Sequence, residues 1–204
     1  MTRLLRRIQR GYTAVELMMA ISVFGIGVAG IISMEKVTSV ANQHAKNLAI
    51  ATHIAESWLD MLATDAVQWN HPRTADATNF SDLTDTVWLQ QVSAGADAAA
   101  NWFVPAYTTG AGLNFGPAFD ALGAPANPTG GTVAFCSHLR LSWLYQPTKD
   151  GNGLIRAEVR VFWLRDGQQF AQNMCTPGSL GAIQGATSTF HFVQKITAIR
   201  ENGN

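Results

Sequence analysis

The feature that most constrains this chain is the stretch Leu17–Met34, eighteen residues without a formal charge, bounded by Glu16 and Glu35. As a helix it would rise about 27 Å, close to the roughly 30 Å hydrocarbon thickness of a bilayer. Arg3, Arg6, Arg7 and Arg10 precede it and no basic cluster follows it. This asymmetry keeps a short N-terminus in the cytoplasm and sends the remainder across the membrane. A cleaved secretory signal would show a short apolar core, a small-x-small site and then a turn. Here the apolar run passes without proline into an amphipathic pattern. Ala51, Ile54, Ala55, Trp58, Leu59 and Leu62 recur at helical spacing, opposite His53, Glu56, Ser57 and Asp60. The spacing predicts one helix from about Tyr12 to about Thr64, with 12–35 in lipid and 36–65 under a folded domain.

Composition excludes some functions. Outside the four leading arginines the chain carries ten Lys and Arg against fourteen Asp and Glu. A neutral-to-acidic body offers no basic patch to displace counterions, so nucleic acid is not an expected partner.

Residues 66–131 are rich in Ala, Gly, Pro, Asn and Asp, and Pro72, Pro105, Pro117, Pro125 and Pro128 exclude a long helix. This region reads as a long connection with a short helix or strand around Leu83–Val92, pinned by Trp69, Trp88 and Trp102. Residues 132–204 read as antiparallel β-structure. Leu139, Leu141, Trp143 and Tyr145 alternate, then Ile155, Ala157, Val159, Val161 and Trp163 do so against Arg156, Glu158 and Arg160. Asp150-Gly151 and Asp166-Gly167 are turn signals, Phe170 suggests a short strand, and Phe190, Phe192, Ile196 and Ala198 suggest a last one. The meander needs one face covered, and the Ile54/Trp58/Leu62 stripe is the available cover. The fold class is therefore α+β.

Glu16 is the residue that asks for a function, because a carboxylate at the mouth of a membrane segment is costly and marks a specific partner. Gly11 stands five residues upstream. The run Gly11-Tyr12-Thr13-Ala14-Val15-Glu16-Leu17 resembles the type III signal of type IV prepilins and type II secretion pseudopilins. The resemblance implies a leader, residues 1–11, removed by a prepilin peptidase between Gly11 and Tyr12, with N-methylation of Tyr12. It implies that the carboxylate of Glu16 pairs with the terminal amine of a neighbouring pilin. The fold it implies is a long helix on a β-meander, with 66–131 in the place of the variable αβ-loop. Ser33 stands where major subunits commonly carry a helix-breaking proline, which points to a minor subunit. Glu158-Val159-Arg160-Val161-Phe162-Trp163 before a glycine turn also looks like minor pilins of the PilV type. The implied function is assembly, adhesion or motility of a type IV pilus. The implied location is the inner membrane with a periplasmic domain, and later the cell-surface pilus. Two other readings stay open: a minor pseudopilin of a type II secretion system, and a binding module that displays 66–131 at a filament tip, with a tip adhesin among its partners.

Cys136 and Cys175 are the only cysteines. Outside the cytoplasm such a pair is expected to be bridged, closing a loop of about forty residues worth roughly 4 kcal/mol. The C-x-x-C spacing of a redox pair is missing, and zinc needs more ligands than these. His53, Glu56 and Asp60 share a helix face but read as its solvated side, so no metal is expected. Gly110 to Gly116 misses the dinucleotide-binding spacing, and no catalytic motif occurs, so neither a cofactor nor an enzyme is expected. His138 and His191 read as sheet-surface residues.

Overall fold

The computed structural model describes residues 11–70, 81–92, 101–110, 113–130, 132–171, 174–186 and 188–201. It divides into two compact units, one ending at Ala45 and the other running from Lys46. Helix α1, Ala14–Asp65, contributes to both.

From Leu17 to Met34 α1 is apolar on every side, and its large side chains are open: Phe24, Ile26 and Met34 are each more than 70% exposed. Ser22 and Ser33, the two hydroxyls of the uncharged stretch, donate to the carbonyls of Met18 and Gly30. A helix that satisfies its polar groups internally and offers carbon outward suits hydrocarbon surroundings. It is long and apolar enough to cross a membrane.

The second unit is an antiparallel sheet with the C-terminal half of α1 on its inner face. Five strands lie in the order β4–β3–β5–β6–β7. They are β3 (Ala118–Phe119), β4 (Pro125–Ala126), β5 (Phe135–Tyr145), β6 (Leu154–Leu164) and β7 (Phe190–Arg200). A separate hairpin pairs β1 (Thr108–Gly110) with β2 (Leu113–Phe115). The helix buries Ala51, Ile54, Ala55, Trp58 and Leu62 against Leu139, Leu141, Trp143, Ile155, Ala157, Val159, Val161 and Trp163. These are the expected stripe and the expected strand faces. Tyr145 is the exception, 54% exposed beyond an irregularity in the β5–β6 register.

For the C-terminal third the structure supplies the phase of the last strand and corrects the reading of Phe170. In β7 the residues on the inner face are the odd-numbered ones, with Ile199 buried and Val193 packed on the core. Phe192, Ile196 and Ala198 point to the other side and are exposed. Pairing with β6 fixes this phase, since Phe192 lies beside Phe162 and Val193 beside Val161. A one-residue change of register exchanges the faces, and an edge strand with apolar residues in both phases does not reveal which. Phe170 is not in a strand. Its N–H donates to Val133 and its ring stacks on Phe190, in a second cluster with Cys136, Phe162, Cys175 and Ile183 of α2 (Leu180–Gly185).

The long connection is more structured than its composition suggests. It supplies β1 to β4, and Leu89–Gln91 forms a single 3₁₀ turn. Trp69 and Trp88 are buried in the core. The indole of Trp69 closes on Gly153, where an added Cβ would lie 2.6 Å from Cζ2. Only glycine fits that approach.

Candidate functional site

Gly11, Tyr12 and Glu16 lie within one stretch at the start of α1. Gly11 and Tyr12 precede the first helical turn, Tyr12 is 85% exposed, and nothing lies within 4 Å of a Cβ placed on Gly11. The helix starts where it does because Thr13 caps it. Its Oγ1 accepts from the N–H of Glu16 at 3.2 Å, and its carbonyl accepts from Leu17. The Thr13-x-x-Glu16 spacing is a capping-box signature, a sequence signal for this helix start. Glu16 is exposed in the first turn. There a negative charge gains about 0.3–1 kcal/mol from the helix dipole.

Cys136 and Cys175 belong to the other unit and are joined, with Cα atoms 5.5 Å apart. The bridge ties β5 to the segment ahead of α2, inside the second cluster. His53, Glu56 and Asp60 are exposed as expected, and Glu56 pairs with Lys195 of β7 at 3.2 Å. Among the described residues no group of His, Cys, Asp and Glu could hold a metal ion.

The outer face of the sheet carries a polar cluster that the alternation of β6 hints at but does not resolve. Glu158, 1% exposed, accepts from Arg140 through Nε at 3.1 Å and Nη2 at 2.6 Å, and from Gln194 at 2.8 Å. Arg156 also reaches it at 3.0 Å, and Arg160 donates to Gln194 at 2.8 Å. The guanidinium carbons of Arg140 and Arg160 lie 4.8 and 4.2 Å from the ring centre of Trp102. This third tryptophan is thus held by cations outside the core, next to the backbone pairing of Phe103 with Leu139.

His138 corrects the expectation of a surface histidine. It is 0% exposed, packs on Phe162 with centroids 4.8 Å apart, and neither ring nitrogen has a hydrogen-bond partner. Burial, and secondarily the charge of Arg160, push its pKa down from 6.5 to about 4. His191 is half-buried against Trp163.

Asp65 had no pattern in the sequence to mark it. At the C-terminal end of α1, its carboxylate accepts from the N–H groups of Val87, Trp88 and Leu89 at 2.7–2.9 Å. It anchors the connection directly to the helix. Comparisons with protein-family models, with curated proteins and with solved structures each gave no match.

Proposed function

We propose that this chain is a minor subunit of a type IV pilus, made as a precursor and cut between Gly11 and Tyr12 by a prepilin peptidase. The uncharged half of α1 holds it in the inner membrane, with the sheet domain in the periplasm, until it joins a filament through its N-terminal helix. The observation that carries the reading is Glu16 at the head of an eighteen-residue uncharged, exposed helical surface. The helix start returns about 0.3–1 kcal/mol for a carboxylate there. A carboxylate drawn among packed membrane helices is costly unless a counter-charge meets it. In this reading the amine freed at Tyr12 of a neighbouring subunit supplies that counter-charge. Removing one member of such a buried pair costs about 3–5 kcal/mol.

The test separates charge from capping. Glu16→Gln keeps a residue that serves a capping box but removes the charge. Thr13→Ala weakens the cap and keeps the charge. Glu16→Gln is expected to insert normally yet be depleted from sheared filaments, while Thr13→Ala is incorporated. N-terminal sequencing of extracted protein should begin at Tyr12. Normal incorporation of Glu16→Gln, or a chain that starts beyond Met34, refutes the proposal.

A further inference from the structure

β7 ends the five-stranded sheet, and among the described residues no strand pairs with its outer edge. It is 11 residues long and runs alongside β6 in unbroken register from Leu164↔Phe190 to Leu154↔Arg200. The phase of its hydrogen bonds follows from the two ends. Arg165 donates to the carbonyl of Thr189, and Glu201 donates to that of Gly153, each continuing the same register. In antiparallel pairing, residues that bond across one side alternate with residues that bond across the other. The odd-numbered residues of β7 therefore bond to β6. Phe192, Gln194, Ile196, Ala198 and Arg200 turn their N–H and C=O groups outward.

Natural sheets blunt such an edge with proline, a bulge, a very short strand, a cover, or charged side chains, including charges that point inward. β7 contains no proline, and its register shows no bulge. The side chains of its outward residues continue the theme of an unfinished surface. Phe192 is 50% exposed and Ile196 is 52% exposed, on the same face as Arg200. Of the strand's two cations, Lys195 lies on the inner face and pairs with Glu56, while Arg200 belongs to the outward-bonding set; the strand contains no acidic residue.

We infer that the β7 edge is a docking site for an extended, acid-bearing segment of a partner protein, which adds an antiparallel sixth strand to the sheet. Backbone pairing supplies the affinity, and alternate side chains supply the selection. Antiparallel addition continues the sheet as it stands. Residues paired with the outward-bonding positions lie on the same face as those positions. The incoming segment therefore presents a carboxylate opposite Arg200, then apolar side chains four and eight positions later, opposite Ile196 and Phe192. This inference concerns the sheet edge alone and is independent of Glu16 and of filament incorporation.

The test uses the full chain in detergent micelles and a synthetic peptide as long as β7. The peptide has one Glu and two Val at that four-residue spacing in a Ser/Thr background. Residue-resolved amide hydrogen exchange is the readout. Without peptide, the amides of residues 192, 194, 196, 198 and 200 should exchange freely while those of 193, 195, 197 and 199 are protected. Peptide at about 1 mM should slow the even-numbered set by about tenfold or more. A peptide with Lys in place of Glu should bind about two- to fivefold more weakly, and Arg200→Glu should reverse that preference. Ala198→Pro should keep the fold, because that N–H takes no part in the β6 ladder, and should abolish the protection. The inference is overturned if the even-numbered amides are already slow without peptide, whether from intrachain cover or from pairing of two copies. It is also overturned if the Glu peptide gives no protection, or if the Lys peptide binds as well.

Discussion

A buried histidine without a partner makes the stability of the sheet domain depend on pH, and His138→Phe isolates the effect. In the unfolded chain this imidazole takes up a proton near pH 6.5, and in the folded protein only near pH 4. Between those values the unfolded state binds more protons, so stability falls as the solution is acidified. The contribution of His138 is full above about pH 6.5, is lost progressively below it, and levels off below about pH 4. A displacement from 6.5 to about 4 corresponds to about 3 kcal/mol. Phenylalanine keeps an aromatic ring against Phe162 and removes both unpartnered nitrogens. Its own cost is a constant offset from the added volume, about 1–3 kcal/mol at most. The measurement is urea unfolding of the full chain in detergent from pH 7.5 to 4, followed by fluorescence of the buried tryptophans. Carboxylates titrate in both proteins and cancel in the difference. The stability of His138→Phe minus wild type should rise by about 3 kcal/mol from pH 7 to 4. Parallel curves for the two proteins would show that the ring is hydrated or paired in solution, and the argument from burial would fail.

Three further outcomes follow from the packing. Asp65→Ala strands three backbone N–H groups and should cost about 2–4 kcal/mol, read as a lower urea midpoint with new proteolysis near residues 87–89. Replacing Cys136 and Cys175 together by Ala should cost about 4 kcal/mol in the chain-entropy account, and both thiols of the parent should resist alkylation without reductant. Gly153→Ala should cost about 1–3 kcal/mol, because the new methyl meets the ring of Trp69, and Trp69→Leu should relieve part of that cost.

The parts legible in the sequence are those where one face is buried and the other is not. The helix stripe around Trp58 shows this contrast, and the apolar residues Ile155, Ala157, Val159, Val161 and Trp163 of β6 sit as their spacing predicts, although Glu158 and Phe162 are buried on its other face. β7 lacks the contrast, because an edge strand carries apolar residues in both phases and takes its register from its neighbour. His138 was hidden for a related reason. It lies on the polar side of β5, which is closed by the Phe162 ring and the second cluster. Asp65 and the segment at 87–89 are more than twenty residues apart. A carboxylate that caps a distant turn leaves no periodicity behind. The start of α1 carries two overlapping signals, a capping box and a processing-like motif, and both converge on Glu16.

The pairing of α1 with the sheet also sets the order in which the domain can form during synthesis. The stripe from Ala51 to Leu62 leaves the ribosome early, whereas β5, β6 and β7, which cover it, begin only at Phe135. The Glu56–Lys195 contact spans 139 residues of chain. At about 5–20 residues per second, Trp58 waits several seconds for its cover. Contacts of such long range also slow folding once the chain is complete.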